Sequence, residues 1–329
     1  MMKSKIFFIG FVSIMLSVGF FSCSHDVGCG NEEEEPAGKD TMQMTLTVKN
    51  VESVRMSLSG IGLMTVDFGD GTPTVTYLDG ADIVHVYSDT DLHVVTITGD
   101  YMTSLSCNYN GLVSLDVSRN PMLTSLSCRN CELTNLDVSK NTMLTSLDCT
   151  SNQLSALDLS KNTVLTYLNC VSNQLTDLDL SKSAMLRYLD CRYNQLTNLD
   201  VSKCTALPYL DCGYNQLTNL DVSKNTMLTD LYCRFNQLTN LLVVSKSITE
   251  LYCESNQLTN LDVSKSTALV RLNCSSNQLS ATALNDIFKA LPSRSYSSWK
   301  GSIWIGGNPG SDDCDRNIAD NRGWGVFDY

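Results

Sequence analysis

The sequence predicts a solenoid of the mainly β, α+β class, a right-handed superhelix with a parallel concave sheet, and three observations carry that prediction. Cysteines at 107, 128, 149, 170, 191, 212, 233, 253 and 274 recur every 21 residues, with one gap of 20. Each sits in the same apolar frame, as in Leu144-Thr145-Ser146-Leu147-Asp148-Cys149, followed by Asn152 and Leu154. Leucine and cysteine at near-alternate positions make a short strand with one apolar side, and the asparagine three residues later turns the chain. One unit cannot bury that side alone, but stacked copies build a continuous core.

The unit L-x-x-L-x-C-x-x-N-x-L resembles the leucine-rich repeat. Its copies begin at Met102, Leu123, Leu144, Leu165, Leu186, Leu207, Leu228, Ile248 and Leu269 and fill 101–279. At strand spacing they span about 40 Å. The resemblance assigns the asparagines at 110, 152, 173, 194, 215, 236, 256 and 277 to a ladder of buried amides that bond the backbone of adjacent turns. Cys131 stands in that column in the second repeat, so an interrupted ladder and a weaker turn are expected there. Equivalent Cβ atoms on neighbouring strands lie about 4.8 Å apart, beyond the roughly 3.8 Å a disulfide prefers. The cysteine column therefore reads as free thiols serving as small core hydrophobes. Cys204 and Cys314 stand outside it, and their redox state stays open.

Charge and histidine placement exclude whole classes of function. With 23 basic and 35 acidic residues the formal charge is −12, which gives nucleic acid no basic stripe to bind. The three histidines, His25, His85 and His93, all precede the repeats, so no Cys–His or Ser–His pair can form in the solenoid. Asp190 and Asp211 fall on adjacent strands, yet a glycosidase pair needs a deep cleft that a bare sheet lacks. A non-catalytic chain without cofactor or metal is expected.

Residues 1–22 read as a signal peptide: Lys3 and Lys5 precede an apolar run from Ile6 to Phe21. The ending Phe20-Phe21-Ser22-Cys23 resembles the lipobox of bacterial lipoproteins, which implies acylation of Cys23, although Phe20 replaces the usual leucine. Simple secretion with a free Cys23 is the alternative. Residues 23–40, with Glu32 to Glu35, read as a solvated acidic tether. Acidic residues soon after the lipid-bearing cysteine resemble the export signal of surface lipoproteins, which places the chain on the bacterial outer membrane, facing outward.

Residues 41–100 alternate β-branched with polar residues and read as a small β-sandwich-like domain. Asp67-Phe68-Gly69-Asp70-Gly71 with a later His85-Val86-Tyr87 resembles PKD-type domains of extracellular proteins. Asp67 and Asp70 suit a hairpin turn better than a calcium site. Residues 280–329 read as a cap: an amphipathic helix stopped by Pro292, an Ile303-Trp304-Ile305 half-repeat, and Trp304 with Trp324 as capping core.

Two faces follow from the repeat. Asp116, Asp137, Asp158, Asp179, Asp200, Asp221 and Asp262 share a return-side column beside one of Arg119 and lysines, a solubilising face. Leu242 breaks the aspartate column, and a kink or an exposed apolar spot is expected there. The third, fifth, seventh and eighth positions of each unit should line the concave face. Early repeats place serines there, whereas later ones place Tyr167, Tyr188 and Tyr209 in the third column and Tyr232 and Tyr252 in the fifth. Tyr193, Tyr214 and Phe235 occupy the eighth, among Asp190, Asp211, Asp230, Glu250, Arg192 and Arg234. Tyrosine and arginine concentrate at binding hot spots. These residues are the candidate site for a protein or glycan ligand of a monomeric, adhesin-like protein. Tyrosine stacking for sheet stability alone, in a structural spacer, is the other reading.

Overall fold

A computed structural model describes residues 41–294 and 300–328. The signal segment 1–22, Cys23 and the tether 23–40 lie outside the described residues. Thr41 to Tyr329 form one compact unit.

Its first part is antiparallel. The strands β1 (Met42–Val48), β2 (Ser53–Asp67), β3 (Val75–Tyr77), β4 (Ala81–Val86), β5 (His93–Ser106) and β6 (Leu112–Arg119) precede the repeated strands. In β1 and in β5 up to Gly99 every second residue is buried, so Met44 and Leu46 meet Ile97 and Val95 across the pair. The long strand β5 has two partners on one side. Its first half pairs with β1, and its end, Ser104 to Ser106, pairs in parallel with β7 (Ser125–Ser127) as the strand of the first repeat. The boundary expected at residue 100 thus falls inside a strand. Small β unit and solenoid share one sheet, and β1 also pairs with β6, the return half of that repeat. An open solenoid end would expose core and strand edge, and this arrangement covers both.

The motif around Asp70 is a turn. Asp67 and Asp70 accept hydrogen bonds from the Gly69 and Thr72 amides at 2.9 and 3.0 Å. Gly69 and Gly71 take φ of 76° and 80°, which favours glycine. Asp70 also meets His85 Nε2 at 2.7 Å while Phe68 stacks on the His85 ring at 3.9 Å, so the two halves of the motif hold each other.

From β7 onward the coil repeats. The strands β8 (Ser146–Asp148), β9 (Tyr167–Asn169), β10 (Tyr188–Asp190) and β11 (Tyr209–Asp211) are parallel and in register. A short pair, β12 (Leu220–Asp221) with β14 (Leu241–Leu242), forms on the return side, while β13 (Asp230–Tyr232), β15 (Glu250–Tyr252) and β16 (Arg271–Asn273) continue the main sheet. Each central leucine points inward and is fully buried, as Leu189 and Leu210 show.

The cysteine column is buried and unpaired from Cys107 to Cys274. Each thiol packs against the next strand; Cys191 Sγ lies 3.6 Å from the Asp211 carbonyl oxygen. Burial pushes the thiols up, Cys149 to about 12, so thiolate is scarce at neutral pH. Cys204 is buried and free, and Cys314 is half-buried and free.

Asparagines tie successive turns together. Asn194 Nδ2 donates to the carbonyls of Cys170 and Cys191 at 3.0 and 3.1 Å, and its Oδ1 accepts from the Leu175 amide at 3.0 Å. The same bonds recur from Asn152 to Asn277. The interruption expected at Cys131 is a replacement instead: its thiol donates to the carbonyls of Cys107 and Arg129 at 3.6 and 3.4 Å. A thiol is a weaker donor than an amide, so the rung is poorer but present. A second ladder, not anticipated, runs through the return turns, where Asn141 and Asn162 bond the carbonyls of Asn120 and Asn141 at 2.8 and 2.9 Å.

On the return side the aspartates start turns, each accepting from the amide two residues on, as Asp137 does from Ser139 at 2.9 Å. That bond holds the Asp137 carboxyl below its usual range, so its contribution is present above the ordinary carboxylate pKa and is lost as pH falls through the lowered one. Leu242 is 49% exposed, the apolar spot expected in the short repeat. The missing residue leaves the concave register intact: Ser245 Oγ bonds the Thr226 and Leu228 carbonyls, and Asn256 still accepts from Leu238 at 2.9 Å.

The C-terminal end closes the coil with α1 (Ala281–Ala290), β17 (Gly301–Trp304), α2 (Asn317–Asp320) and β18 (Trp324–Phe327). Ser280 caps α1 by accepting from the Ala283 amide at 3.2 Å, and Leu284, Ile287 and Phe288 bury its apolar face. Asn308 extends the ladder to Cys274 and Leu279 at 2.9 and 3.1 Å. Trp324 is fully buried, as expected of capping core, with its indole N–H on the Pro292 carbonyl at 2.8 Å. Trp304 differs. It aligns with Asn273 of the main sheet and stands on the concave side.

Replacing Asn194 by alanine leaves the buried Leu175 amide without a partner and takes one of two asparagine donors from the Cys170 and Cys191 carbonyls, which Asn173 and Asn215 still reach. Urea unfolding should show a loss of about 1–3 kcal/mol. A thiol reagent at pH 8 should leave the native cysteine column unmodified and react with it only in denaturant; rapid native labelling of these thiols would contradict their burial.

Candidate ligand-binding face

Alternation in the short strands sets the site. With the central leucine inward, the third and fifth positions of each unit must point to the concave side. In the third column Tyr167, Tyr188 and Tyr209 stack face to face, with centroids 4.5 Å apart and ring planes within 10°. That separation is the strand spacing itself. At β13 the aromatic residue moves to the fifth column, and the row continues through Tyr232 and Tyr252, tilted by 44° and 33° at 5.6 and 5.1 Å. It then reaches Trp304 at 6.4 Å and Phe327 a further 5.6 Å on. Trp304 therefore belongs to the candidate face and not to the cap core. The Ile303-Trp304-Ile305 frame carried the signal, because it puts Trp304 in the same column as Tyr252.

A second row lies in the eighth column. Tyr193 stacks on Tyr214 at 4.2 Å, and Tyr214 on Phe235 at 4.4 Å. Their backbone is left-handed, with φ of 54°, 54° and 51°, as at Ser151, Ser172, Ser255 and Ser276. This conformation costs about 1–2 kcal/mol for residues other than glycine and is least costly for asparagine and aspartate. The periodicity did not show this constraint. Tyr193 and Phe235 are also 47% and 44% exposed, so burial returns little of that cost.

Between the rows lie the charges. Asp190 and Asp211, read from the sequence as ligand contacts, are each only 1% exposed. They sit beneath the surface and hold the arginines. Arg192 donates from Nε and Nη2 to Asp190 at 2.9 and 2.8 Å, and its Nε lies 3.2 Å from Asp211. Arg234 approaches Asp211 and Glu254 at 3.9 and 4.0 Å and lies 5.8 and 5.9 Å from the ring centroids of Tyr214 and Tyr232. It bridges the two aromatic rows. Gly213 leaves the gap between the two arginines: a Cβ there would come within 3.1 Å of the Arg234 side chain and 3.2 Å of Asp211 Oδ1. Glu250 accepts from the Tyr232 hydroxyl and from Arg271, both at 2.6 Å. Asp230 accepts from Thr229 Oγ1 at 2.6 Å. Glu254, Arg271, Trp304 and Phe327 join the face in addition to the residues expected.

Burial pushes the Asp211 carboxyl up to about 6, reinforced by the Asp190 charge and opposed by the Gly213 amide and the two arginines. A carboxyl raised in the folded state adds stability at low pH that is lost as pH rises from its unfolded value to its folded one. Relative to Asp211→Asn, the wild type should therefore lose about 2–3 kcal/mol between pH 4 and pH 6.5. Paired denaturation curves at those pH values check this, and a constant difference would contradict it.

No protein-family model matches the chain, and no curated protein matches it either. Solved structures do. The functional domain of InlJ from Listeria monocytogenes is 32% identical over 72% of this chain and 55% of that one, with a TM-score of 0.54, and is described as including a cysteine ladder. A leucine-rich-repeat protein of Leptospira interrogans is 23% identical over 68% of this chain and 60% of its own, with a TM-score of 0.58. An internalin, InlF, of Listeria monocytogenes is 23% identical over 63% and 74%, with a TM-score of 0.51. This chain thus spans little more than half the length of the first two. The coil matches these structures and the cysteine column matches the first of them, and its fold is that of a leucine-rich-repeat solenoid.

Proposed function

We propose that this chain is a non-catalytic, adhesin-like binding protein that captures a protein ligand on the concave face, held at the bacterial surface by a lipid on Cys23. One observation carries the choice of a protein over a glycan: the tyrosines stack face to face. Sugars bind aromatic rings through C–H groups laid on the electron-rich ring face, and here neighbouring rings cover most of those faces. What the rows offer is ring edges and hydroxyls along an apolar ridge. Edges carry the positive end of the ring quadrupole and suit carbonyl oxygens of an extended backbone. Solenoids in general use their concave surfaces for such extended contacts.

The eighth column supports recognition over a purely structural role. Serine holds the same left-handed backbone in four other repeats, so the fold does not call for rings there, and Tyr193 and Phe235 stand 47% and 44% exposed. Membrane attachment and outward orientation rest on the sequence of residues 1–40.

Converting Tyr193, Tyr214 and Phe235 to serine restores the residue that other repeats carry. The unfolding free energy should fall by only about 1–3 kcal/mol, the loss of two stacked pairs, since serine takes the same backbone in other repeats. Capture of ligand, screened on panels of host matrix proteins and on a glycan array, should be abolished. Unchanged capture would remove the eighth column from the site, and binding confined to glycans would overturn the choice of ligand class.

A further inference from the structure

We propose that the bound segment is basic, an extended stretch of the partner presenting arginine or lysine to the centre of the aromatic row. This rests on the protein-binding reading above and narrows it to one chemistry.

Charge complementarity carries the inference. In the concave columns of the aromatic stretch each arginine already has its counter-charge, and Arg187, in the second column, has none among the described residues. Arg192 lies between Asp190 and Asp211, Arg234 near Asp211 and Glu254, and Arg271 on Glu250. Asp230 pairs with no cation among the described residues; its bond is to the Thr229 hydroxyl. Register places it directly between Tyr209 and Glu250 on the neighbouring strands. The face therefore keeps an uncompensated negative charge at one point, in a chain whose formal charge is −12.

That point coincides with the largest tilt between neighbouring rings of the row. Where the row changes column, Tyr209 and Tyr232 tilt by 44° instead of the 6° between Tyr188 and Tyr209. Tilting uncovers ring faces beside Asp230. A guanidinium or ammonium group placed there meets a carboxylate and the negative face of a tyrosine together, the arrangement that favours cation–π contact. An acidic segment would be repelled by Asp230, and a neutral one would bury it without a partner.

Selection of random 12-residue peptides displayed on phage, against the folded chain, tests this. Selected sequences should be rich in arginine and lysine and poor in aspartate and glutamate, and their binding should weaken between 50 and 300 mM salt. Asp230→Asn, which keeps the hydrogen bond to Thr229, should weaken the selected peptides by about fivefold without changing the unfolding midpoint. Asp230→Lys should weaken them further and admit acidic peptides. Neutral or acidic peptides that are lost with Tyr188→Ala and Tyr209→Ala would overturn the charge inference and leave the protein-binding face standing. Failure to select any peptide, with binding only on a glycan array, would overturn both.

Discussion

The buried asparagine amide is the constraint on which the rest of the molecule depends. Each one closes its own turn and grips the backbone of the turn before it, so the stacking distance is set by hydrogen bonds and not by side-chain volume alone. In a dry core the leucine amide has no other partner and each cysteine carbonyl has only the asparagines of two adjacent turns, which makes every rung costly to lose. With the rise per coil held this way, the leucine and cysteine columns superpose, and so do the concave columns. The tyrosine spacing of 4.5 Å follows from that superposition.

Repetition has an electrostatic consequence as well. Any charged column placed on such a coil meets its own kind at strand spacing. On the return side the aspartates manage this by turning inward to the amide two residues on, and exposure to solvent screens what remains. The concave side has no such outlet. There the carboxylates of Asp190 and Asp211 are buried and matched by Arg192, which lies over both. The price is a raised Asp211 carboxyl and an arginine fixed in position. Gly213 keeps the space open in which Arg192 and Arg234 can share that carboxylate.

Much of the architecture was legible because a repeat makes burial a matter of counting. The cysteine column is unpaired and buried because strand spacing excludes a disulfide, a deduction that needed no coordinates. The terminal segments were less readable. A cap by definition leaves the repeat, and its pairing with the first and last turns is long-range. That β5 belongs both to the small β unit and to the first repeat could not be inferred from alternation, which is the same on both sides of residue 100. Cys131 misled for a different reason: a thiol placed in the amide's column was read as an absence, yet it reaches the same carbonyl of Cys107.

By itself the sequence determined the coil, its period, its core and the columns free to vary, because period and apolar pattern are local properties that every copy repeats. Tertiary structure decided which of the variable residues are available. Asp190 and Asp211 share their column with half-buried residues such as Asn169 and Tyr232, yet are themselves buried, with Arg192 reaching across two strands to both. The covered ring faces and the Asp230 carboxylate without a cation likewise arise from geometry between turns. Such relations depend on side-chain direction and on neighbours 20 or more residues away, and no pattern within one repeat contains them.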